Sequence, residues 1–328
     1  MRFKPHRALY AKANDATLIL RELSTLGTAE IVCDTSELPK LHEMDPEEAY
    51  LVWNIDLATD KDESAVPDQV KQGYELFFGE GPEVLEEGYA YVCASVQRVG
   101  VHGFAENPQG LVAWDPERYG DLSIPTDDAS YGIFSQVARA VGPDRDRTVD
   151  PLGGLAVKRV IGLGASQSAG RLATYVNAVH PLSREAGGHA FDGYMLQIYF
   201  GTGTPIAASD RPVNPNTANL RLPRGQNLIR DDLDVPAMIV NTELEAISCQ
   251  SVRQPDTDRF RTWEAAALTH VSYQAQLMRN EKYKRDFGVA PPAPSEQMNR
   301  IYLQPFYDAA LHHLNRWVAG GAAPPVQP

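Results

Sequence analysis

Short apolar runs alternate along the chain with segments whose apolar residues recur at helical spacing, and this pattern predicts the secondary structure. Four short apolar runs are bounded by turn-forming or polar residues and are too short for helices, so they predict buried strands. These runs cover residues 160–163, 194–200, 235–240 and 263–267. Residues 130–141 and 302–318 carry apolar side chains at helical spacing and predict amphipathic helices. Residues 88–96 form one more apolar run and predict a further buried strand.

The order of these elements predicts the fold class. From about residue 67 onward, strands alternate with helices, which is typical of an α/β protein with a mostly parallel central sheet and helices on both faces. Residues 97–120 and 201–234 are rich in glycine, proline and asparagine, so we expect them to form long loops.

The N-terminal segment, residues 1–66, has a different pattern. A helix is expected over residues 16–23, and strands over residues 29–33 and 50–57. A sheet that began at residues 88–96 would leave an apolar edge bare. We therefore expect a strand within residues 47–60 to pair into the main sheet, next to a catalytic domain at residues 67–328.

Residues 158–175, which read KRVIGLGASQSAGRLATY, hold the clearest chemical signal. A short apolar strand leads into a turn of small residues and then into residues suited to a helix. A nucleophile elbow needs this context, because the tight turn lifts one serine hydroxyl above the sheet edge. A glycine-rich turn that binds phosphate or only packs is the alternative interpretation.

Two serines in this turn compete for the role of nucleophile. The residues around Ser166 fit G-x-S-x-G with serine at the last glycine, and those around Ser168 fit with serine at the first. If residues 160–163 are the strand, Ser166 stands at the tip of the turn and Ser168 already lies in the first helical turn. This register favours Ser166.

A serine nucleophile needs a histidine base and a carboxylate that orients it. His270 follows the last predicted strand and is the favoured base. Counting from Pro236 at the start of the preceding strand favours Glu245 as the acid, whereas Glu243 is an alternative acid that would instead contact the loop backbone. Asp256 is a third candidate, which could equally pair with a nearby arginine. The order serine, acid, histidine is that of α/β-hydrolases.

Composition narrows the function classes. The 328 residues carry 30 Lys and Arg against 43 Asp and Glu, and the net charge of −13 disfavours nucleic acid or an anionic membrane as a partner. Cys33, Cys93 and Cys249 are far apart and odd in number, which favours neither a disulfide framework nor a zinc site. We expect no secretory signal and no membrane span, and hence a cytoplasmic enzyme.

Several stretches of residues 67–328 resemble a family of α/β-hydrolase-domain proteins whose elbow reads G-x-S-Q-S-x-G-R. They include GYAYVCASVQRVGVHG, GLGASQSAGRLATYVNAVHP, DLDVPAMIVNTELE and RQPDTDRFRTWEAAALTH. The resemblance implies an α/β-hydrolase fold and a serine hydrolase of the esterase type, with Ser166 as nucleophile and His270 as base. It also implies that no metal ion and no organic cofactor are needed.

Residues 2–66 resemble a regulatory segment of the chemotaxis histidine kinase CheA. The similar stretches are RFKPHRALYAKANDATLILRELSTLG, AEIVCDTSELPKL and DPEEAYLVWNIDLATDKDESAV. The similarity covers neither the phosphotransfer nor the ATP-binding domain of such a kinase, so it implies no kinase activity. In α/β-hydrolases this part of the chain carries strands that supply one oxyanion donor. Here we expect Asn54 or Ile55 to supply it, beside the backbone N–H of Gln167.

These residues together predict a serine hydrolase that cleaves a carboxylic ester or lactone of a small molecule. An amidase or peptidase with the same triad is one alternative. A regulatory interaction protein with an impaired catalytic half is another. The sequence indicates neither the acyl and alcohol groups of the substrate nor the oligomeric state.

Overall fold

The computed structural model describes residues 2–3, 28–36, 39, 52–58, 88–104, 110–148, 150–185, 188–206, 227–287 and 291–326. These residues form two units, one that ends at residue 93 and one that begins at residue 94. The predicted helix at residues 16–23 and the predicted boundary between residues 66 and 67 lie outside the described part of the chain.

The N-terminal unit contains a small antiparallel sheet. Its strands are β1 (Arg2–Phe3), β2 (Thr28–Asp34) and β3 (Val52–Ala58), in the order β1-β3-β2. The two predicted strands of this segment are thereby confirmed. The expectation that the second of them pairs into the main sheet is wrong for the described residues, because β3 has β1 on one side and β2 on the other.

The second unit is built on a four-stranded parallel sheet in the order β4-β5-β6-β7. Its strands are β4 (Ile161–Ala165), β5 (Gly193–Gln197), β6 (Ala237–Thr242) and β7 (Phe260–Ala265). Each lies within two to three residues of a predicted strand. Every residue of β5 and β6 is buried, as expected for central strands of a covered parallel sheet.

Nine α-helices are described in this unit. They are α1 (Arg98–His102), α2 (Leu111–Trp114), α3 (Pro116–Tyr119), α4 (Ser130–Val141), α5 (Gln167–Thr174), α6 (His180–Glu185), α7 (Glu243–Ser248), α8 (Tyr273–Phe287) and α9 (Gln304–Val318). A π-helical turn at Tyr175–Val179 joins α5 to α6. The described residues contain no helix that is long and apolar enough to span a membrane.

Helices cover both faces of the parallel sheet. On one face, Tyr194 of β5 shares a buried core with Leu172 of α5. Residues of β5 alternate between faces, so Gly193 points the other way, toward α9. A Cβ at Gly193 would lie 2.5 Å from Val318 Cγ2, so glycine at this position allows α9 to pack closely. This layering confirms the predicted α/β fold class.

The prediction of a further buried strand at residues 88–96 is wrong. Residues 89–96 belong to no helix or strand, and Val92 is 41% exposed. A strand is stable only when a neighbouring strand completes its ladder of hydrogen bonds, and no strand among the described residues pairs with this run. In consequence β4, which leads into the elbow, is an edge strand among the described residues.

Candidate active site

The turn after β4 has the backbone geometry of a nucleophile elbow. Ser166 follows β4 directly and occupies the N-cap of α5 with φ 56° and ψ −115°. A serine in this region is strained, which is typical of functional turns. A Cβ at Gly164 would lie 2.6 Å from Ser168 O, and a Cβ at Gly170 would lie 2.6 Å from Thr202 O. The small residues of the motif therefore permit two close backbone approaches.

Ser166, and not Ser168, lies beside a histidine. Ser166 Oγ is 3.0 Å from His270 Nε2. Ser168 lies in the first turn of α5 with an exposed side chain, as the predicted register requires. The backbone N–H of Ser166 donates to Gln197 O at 3.0 Å, which fixes the turn to the end of β5.

His270 lies between this serine and a buried carboxylate. His270 Nδ1 is 2.7 Å from Glu245 Oε1, and Glu245 is fully buried. The other oxygen, Glu245 Oε2, accepts from the Thr242 backbone N–H at 3.2 Å and from the Thr242 hydroxyl. Glu245 is thus the N3 residue of a capping box at the start of α7, and its position is fixed before it meets His270.

Glu243, the alternative acid, contacts the loop backbone as the sequence suggested. Its Oε2 accepts from the Ala267 N–H at 2.7 Å. Ala267 has φ 63°, a left-handed conformation that a non-glycine residue rarely adopts. Asn299 Nδ2 donates to Ala267 O at 2.5 Å, so this residue is held on both sides. Glu243 therefore contacts the loop that carries His270, and not His270 itself.

Asp256, the third candidate, lies in a separate set of contacts. It accepts from the Thr262 N–H at 3.0 Å and lies 3.9 Å from Arg261 Nε. Arg253, one of the nearby arginines in the sequence, instead pairs with Glu264 at 2.7 Å. Asp256 thus stabilises the start of β7, away from the His270 ring.

The predicted oxyanion donors lie in different units. Gln167 is the first residue of α5, where helical N–H groups have no acceptor within the helix. Such N–H groups, together with the partial positive charge of the helix N-terminus, suit a developing oxyanion. Asn54 and Ile55 lie in β3 of the N-terminal sheet. Their assignment as donors stays a prediction.

A second cluster of titratable groups lies near the amino ends of β5 and β6. His180 Nε2 and His189 Nε2 are each 2.9 Å from a different oxygen of Asp234, and Tyr194 Oη is 2.8 Å from His180 Nδ1. Burial lowers the pKa of His180, with the Asp234 carboxylate opposing the shift. Burial also raises the pKa of Tyr194 far above its usual value.

This cluster is the group of described residues that could hold a metal ion, because its three donor atoms lie within 4.8 Å of one another. However, the rings of His180 and His189 are stacked at 15°, with centroids 4.5 Å apart. Nearly parallel rings do not aim their in-plane lone pairs at one point. The hydrogen bonds already pair these atoms, so the geometry fits a structural cluster better than a metal centre. The expectation that no metal is needed remains a prediction.

Sequence reasoning missed a polar network beside the elbow. Arg171 of α5 is only 8% exposed, and Arg171 Nη2 lies 2.6 Å from Asp127 Oδ2. Gln97 links this guanidinium to the Gln167 side chain. The only signal in the sequence is the arginine that ends the elbow motif, since its partners are 44 and 74 residues away (171 − 127 and 171 − 97).

The comparisons with known proteins find a hydrolase family model over most of the chain and a similarity to CheA over a short segment. A family model described as "Alpha/beta hydrolase domain" matches residues 69–328. Over 64 residues the chain is 56% identical to "Chemotaxis protein CheA" of Rhizobium meliloti (strain 1021), which covers 20% of this chain and 8% of that protein. Over 64 residues it is 42% identical to "Chemotaxis protein CheA" of Cereibacter sphaeroides, which covers 20% of this chain and 9% of that protein.

The chain therefore spans less than a tenth of the length of these two curated relatives. No solved structure matches the chain. Both resemblances that the sequence motifs carried, to an α/β-hydrolase domain and to a short segment of CheA, are confirmed.

Proposed function

The chain belongs to the alpha/beta hydrolase domain family, and from this premise we propose that it is a serine hydrolase that cleaves a carboxylic ester or lactone. The observation that carries the proposal is the continuous contact from Ser166 Oγ through His270 to Glu245, with distances of 3.0 and 2.7 Å. A nucleophile, a base and an orienting acid in this geometry are what acyl transfer needs.

In the proposed reaction, His270 Nε2 takes the proton of Ser166 as Oγ attacks the ester carbonyl carbon. The carbonyl oxygen becomes an oxyanion, and the backbone N–H of Gln167 donates to it. Glu245 holds the imidazole in the tautomer that accepts this proton and stabilises the imidazolium that forms.

The tetrahedral intermediate then collapses, the ester C–O bond breaks, and His270 returns its proton to the leaving alcohol. Water next attacks the acyl-enzyme with His270 as base, and the acid product leaves Ser166 free. In a lactone the leaving alcohol stays attached to the acyl group, so one hydroxy acid is released. The proposed steps use protein groups and water alone.

Labelling with a fluorophosphonate probe tests this proposal. We expect an adduct on the peptide that contains Ser166, no adduct in Ser166→Ala, and an adduct in Ser168→Ala. An adduct mapped to Ser168 would reverse the assignment. Failure of the wild-type chain to label would contradict a serine hydrolase and favour the regulatory alternative.

Matched substrates test the bond that is cleaved. We expect faster hydrolysis of a p-nitrophenyl ester than of the p-nitroanilide with the same acyl group. Comparable kcat/KM values for the two would favour the amidase or peptidase alternative instead.

A further inference from the structure

The network around Arg171 connects the residue after the nucleophile to two other elements of the fold. Arg171 Nη1 donates to Ser130 Oγ at 2.9 Å, and Nη2 donates to Asp127 Oδ2 at 2.6 Å. A buried guanidinium is costly unless it is paired in this way. These contacts fix the Arg171 side chain of α5 to Ser130 at the start of α4 and to Asp127 just before it.

Gln97 extends this network to the elbow. When the amide is assigned with its oxygen toward the neighbouring donors, that oxygen accepts from Arg171 Nε at 2.8 Å, from Arg171 Nη2 at 3.1 Å and from Gln167 Nε2 at 3.1 Å. This orientation of the amide pairs its oxygen with donors, which is how such amides are assigned. One oxygen atom therefore holds both the guanidinium and the side chain of Gln167.

Asp127 fixes the position of Gln97 in turn. Its Oδ1 accepts from the Arg98 backbone N–H at 2.7 Å, while its Oδ2 receives Arg171. Gln97 is the N-cap residue of α1, directly before Arg98. The carboxylate thus holds the helix start that presents Gln97, and the network closes on itself.

The backbone at the elbow explains why such a support is useful. Ser166 has φ 56°, so the peptide that joins it to Gln167 is not held by an intrinsic backbone preference. An oxyanion donor works only when its N–H is aimed at the developing charge before the reaction. A hydrogen bond on the Gln167 side chain restricts the rotation of this residue.

We infer that Gln97 and Arg171 are positioning residues, which hold Gln167 so that its backbone N–H points at the substrate oxyanion. The inference rests on the proposed function, because it assumes acyl transfer at Ser166. It goes further by assigning a role to two residues outside the triad. The competing view is that the network only packs the start of α5.

Substitutions of the two glutamines separate these views. Gln167→Ala removes the side-chain anchor but keeps the backbone N–H, and Gln97→Ala removes the oxygen that receives it. Gln97→Glu keeps an oxygen acceptor facing both partners. Arg139→Gln is the matched control, since Arg139 is in α4 and its side chain donates to Gly188 O at an exposed site.

The readouts are kcat and KM for p-nitrophenyl butyrate, and the inhibition constant of an alkyl trifluoromethyl ketone, which forms a tetrahedral oxyanion on the serine. Losing an oxyanion donor costs about 10²–10³ in rate, so we expect a misaimed donor to cost about 10–100-fold in kcat. Inhibitor affinity should fall by a similar factor, with KM within about threefold.

Rescue and coupling complete the test. We expect Gln97→Glu to keep kcat within about threefold of wild type, and the double variant to be no slower than the slower single variant, because both remove one contact. Thermal melting checks that each variant is folded. Should Gln97→Ala fail to fold, Gln167→Ala and Gln97→Glu still carry the test.

The outcomes distinguish the two proposals. If wild type forms the Ser166 adduct but Gln167→Ala keeps full kcat and inhibitor affinity, the positioning role is overturned and the proposed function stands. Losses that appear only in KM, or that Arg139→Gln reproduces, likewise overturn it. If wild type forms no Ser166 adduct, the proposed function fails and this inference fails with it.

Discussion

Replacing Glu245 with glutamine should slow turnover strongly while leaving the fold intact. Glutamine has the same shape, but its amide offers one acceptor oxygen and one NH2 donor. Two donors of Thr242 face the Oε2 position of Glu245, and His270 Nδ1 faces the Oε1 position. A single amide has only one acceptor oxygen, so it cannot accept hydrogen bonds from both Thr242 and His270 as the carboxylate does.

The side toward Thr242 decides the orientation of the amide. With its oxygen there, the amide keeps the capping contacts and turns its NH2 toward His270 Nδ1. That contact stabilises the tautomer with the proton on Nε2, which cannot accept the proton of Ser166. The opposite orientation sets the NH2 against a backbone N–H and loses a hydrogen bond to a buried donor, which costs about 2 kcal/mol.

These energies bound the loss of activity. A cost of about 2 kcal/mol leaves a few per cent of molecules in the productive orientation, so kcat should fall by at least about 30-fold. The wrong tautomer alone costs about 10⁴, which sets the upper end. Glu243→Gln is the matched control, because an amide oxygen can still accept from Ala267. We expect it to stay within about threefold of wild type.

Ester hydrolysis and thermal melting, measured on the same preparations, check this prediction. We expect a loss of 30-fold or more for Glu245→Gln with a melting temperature close to that of wild type. Equal losses at Glu243 and Glu245, or an unfolded Glu245 variant, would refute the reasoning. Full activity in both variants would move the acid to another carboxylate.

Three further predictions address the nucleophile, the pH response and the packing of the elbow. Ser166→Ala should lower kcat by about 10⁶, and Ser168→Ala by far less, in the same ester assay. Burial lowers the pKa of His180, so as the pH falls the unfolded chain takes up this proton before the folded chain does. The contribution of His180 to the free energy of unfolding should be complete above about pH 6.5 and should fall below that pH by up to about 1.4 kcal/mol per pH unit. Urea titrations of His180→Phe should lack this slope. Gly170→Ala should lower the stability by about 1–3 kcal/mol, since its Cβ would meet a backbone oxygen at 2.6 Å, whereas Gly132→Ala in α4, with open space, should not destabilise in the same melts.

The local features of the site were predictable because short stretches determine them. The apolar run before the elbow fixed the register that places Ser166 at the turn and Ser168 in the helix. The choice of Glu245 over Glu243 had a second signal, since Thr242 and Glu245 match the capping box S/T-x-x-E. That signature holds the Glu245 carboxylate against the start of α7 and leaves Glu243 to contact the neighbouring loop.

Features that depend on distant partners were not predictable. Residues 88–96 have the composition of a strand, but pairing decides whether a strand forms, and composition does not report the partner. Helix α8 carries no apolar stripe, so its pattern gave no helical signal. The contact of Arg171 with Asp127 joins residues whose proximity arises only when α5 and α4 pack.

The strand order places the residues that follow β4 and β7 far apart, so the loops must bring Ser166 and His270 together. Neighbouring strands are about 4.8 Å apart, so the ends of β4 and β7 are separated by three spacings, roughly 14 Å. Glu245 and His270 follow neighbouring strands and meet easily, but Ser166 follows β4 at the far side of β5 and β6. A direct path from β7 would leave His270 too far from Ser166.

Residues in the left-handed backbone conformation turn the loops and so allow His270 to contact Ser166. After β7, Ala267 at φ 63° turns the chain, and Glu243 and Asn299 hold it there, three residues before His270. After β5, Ile198 at φ 42° turns the chain at the strand end, and Phe200 then lies with its ring 5.0 Å from that of His270. Non-glycine residues adopt this conformation only when their surroundings enforce it. Glu243, which the proposed triad does not use, thus has a structural role of its own, because without its hydrogen bond to Ala267 the turn that brings the imidazole back toward β4 would relax.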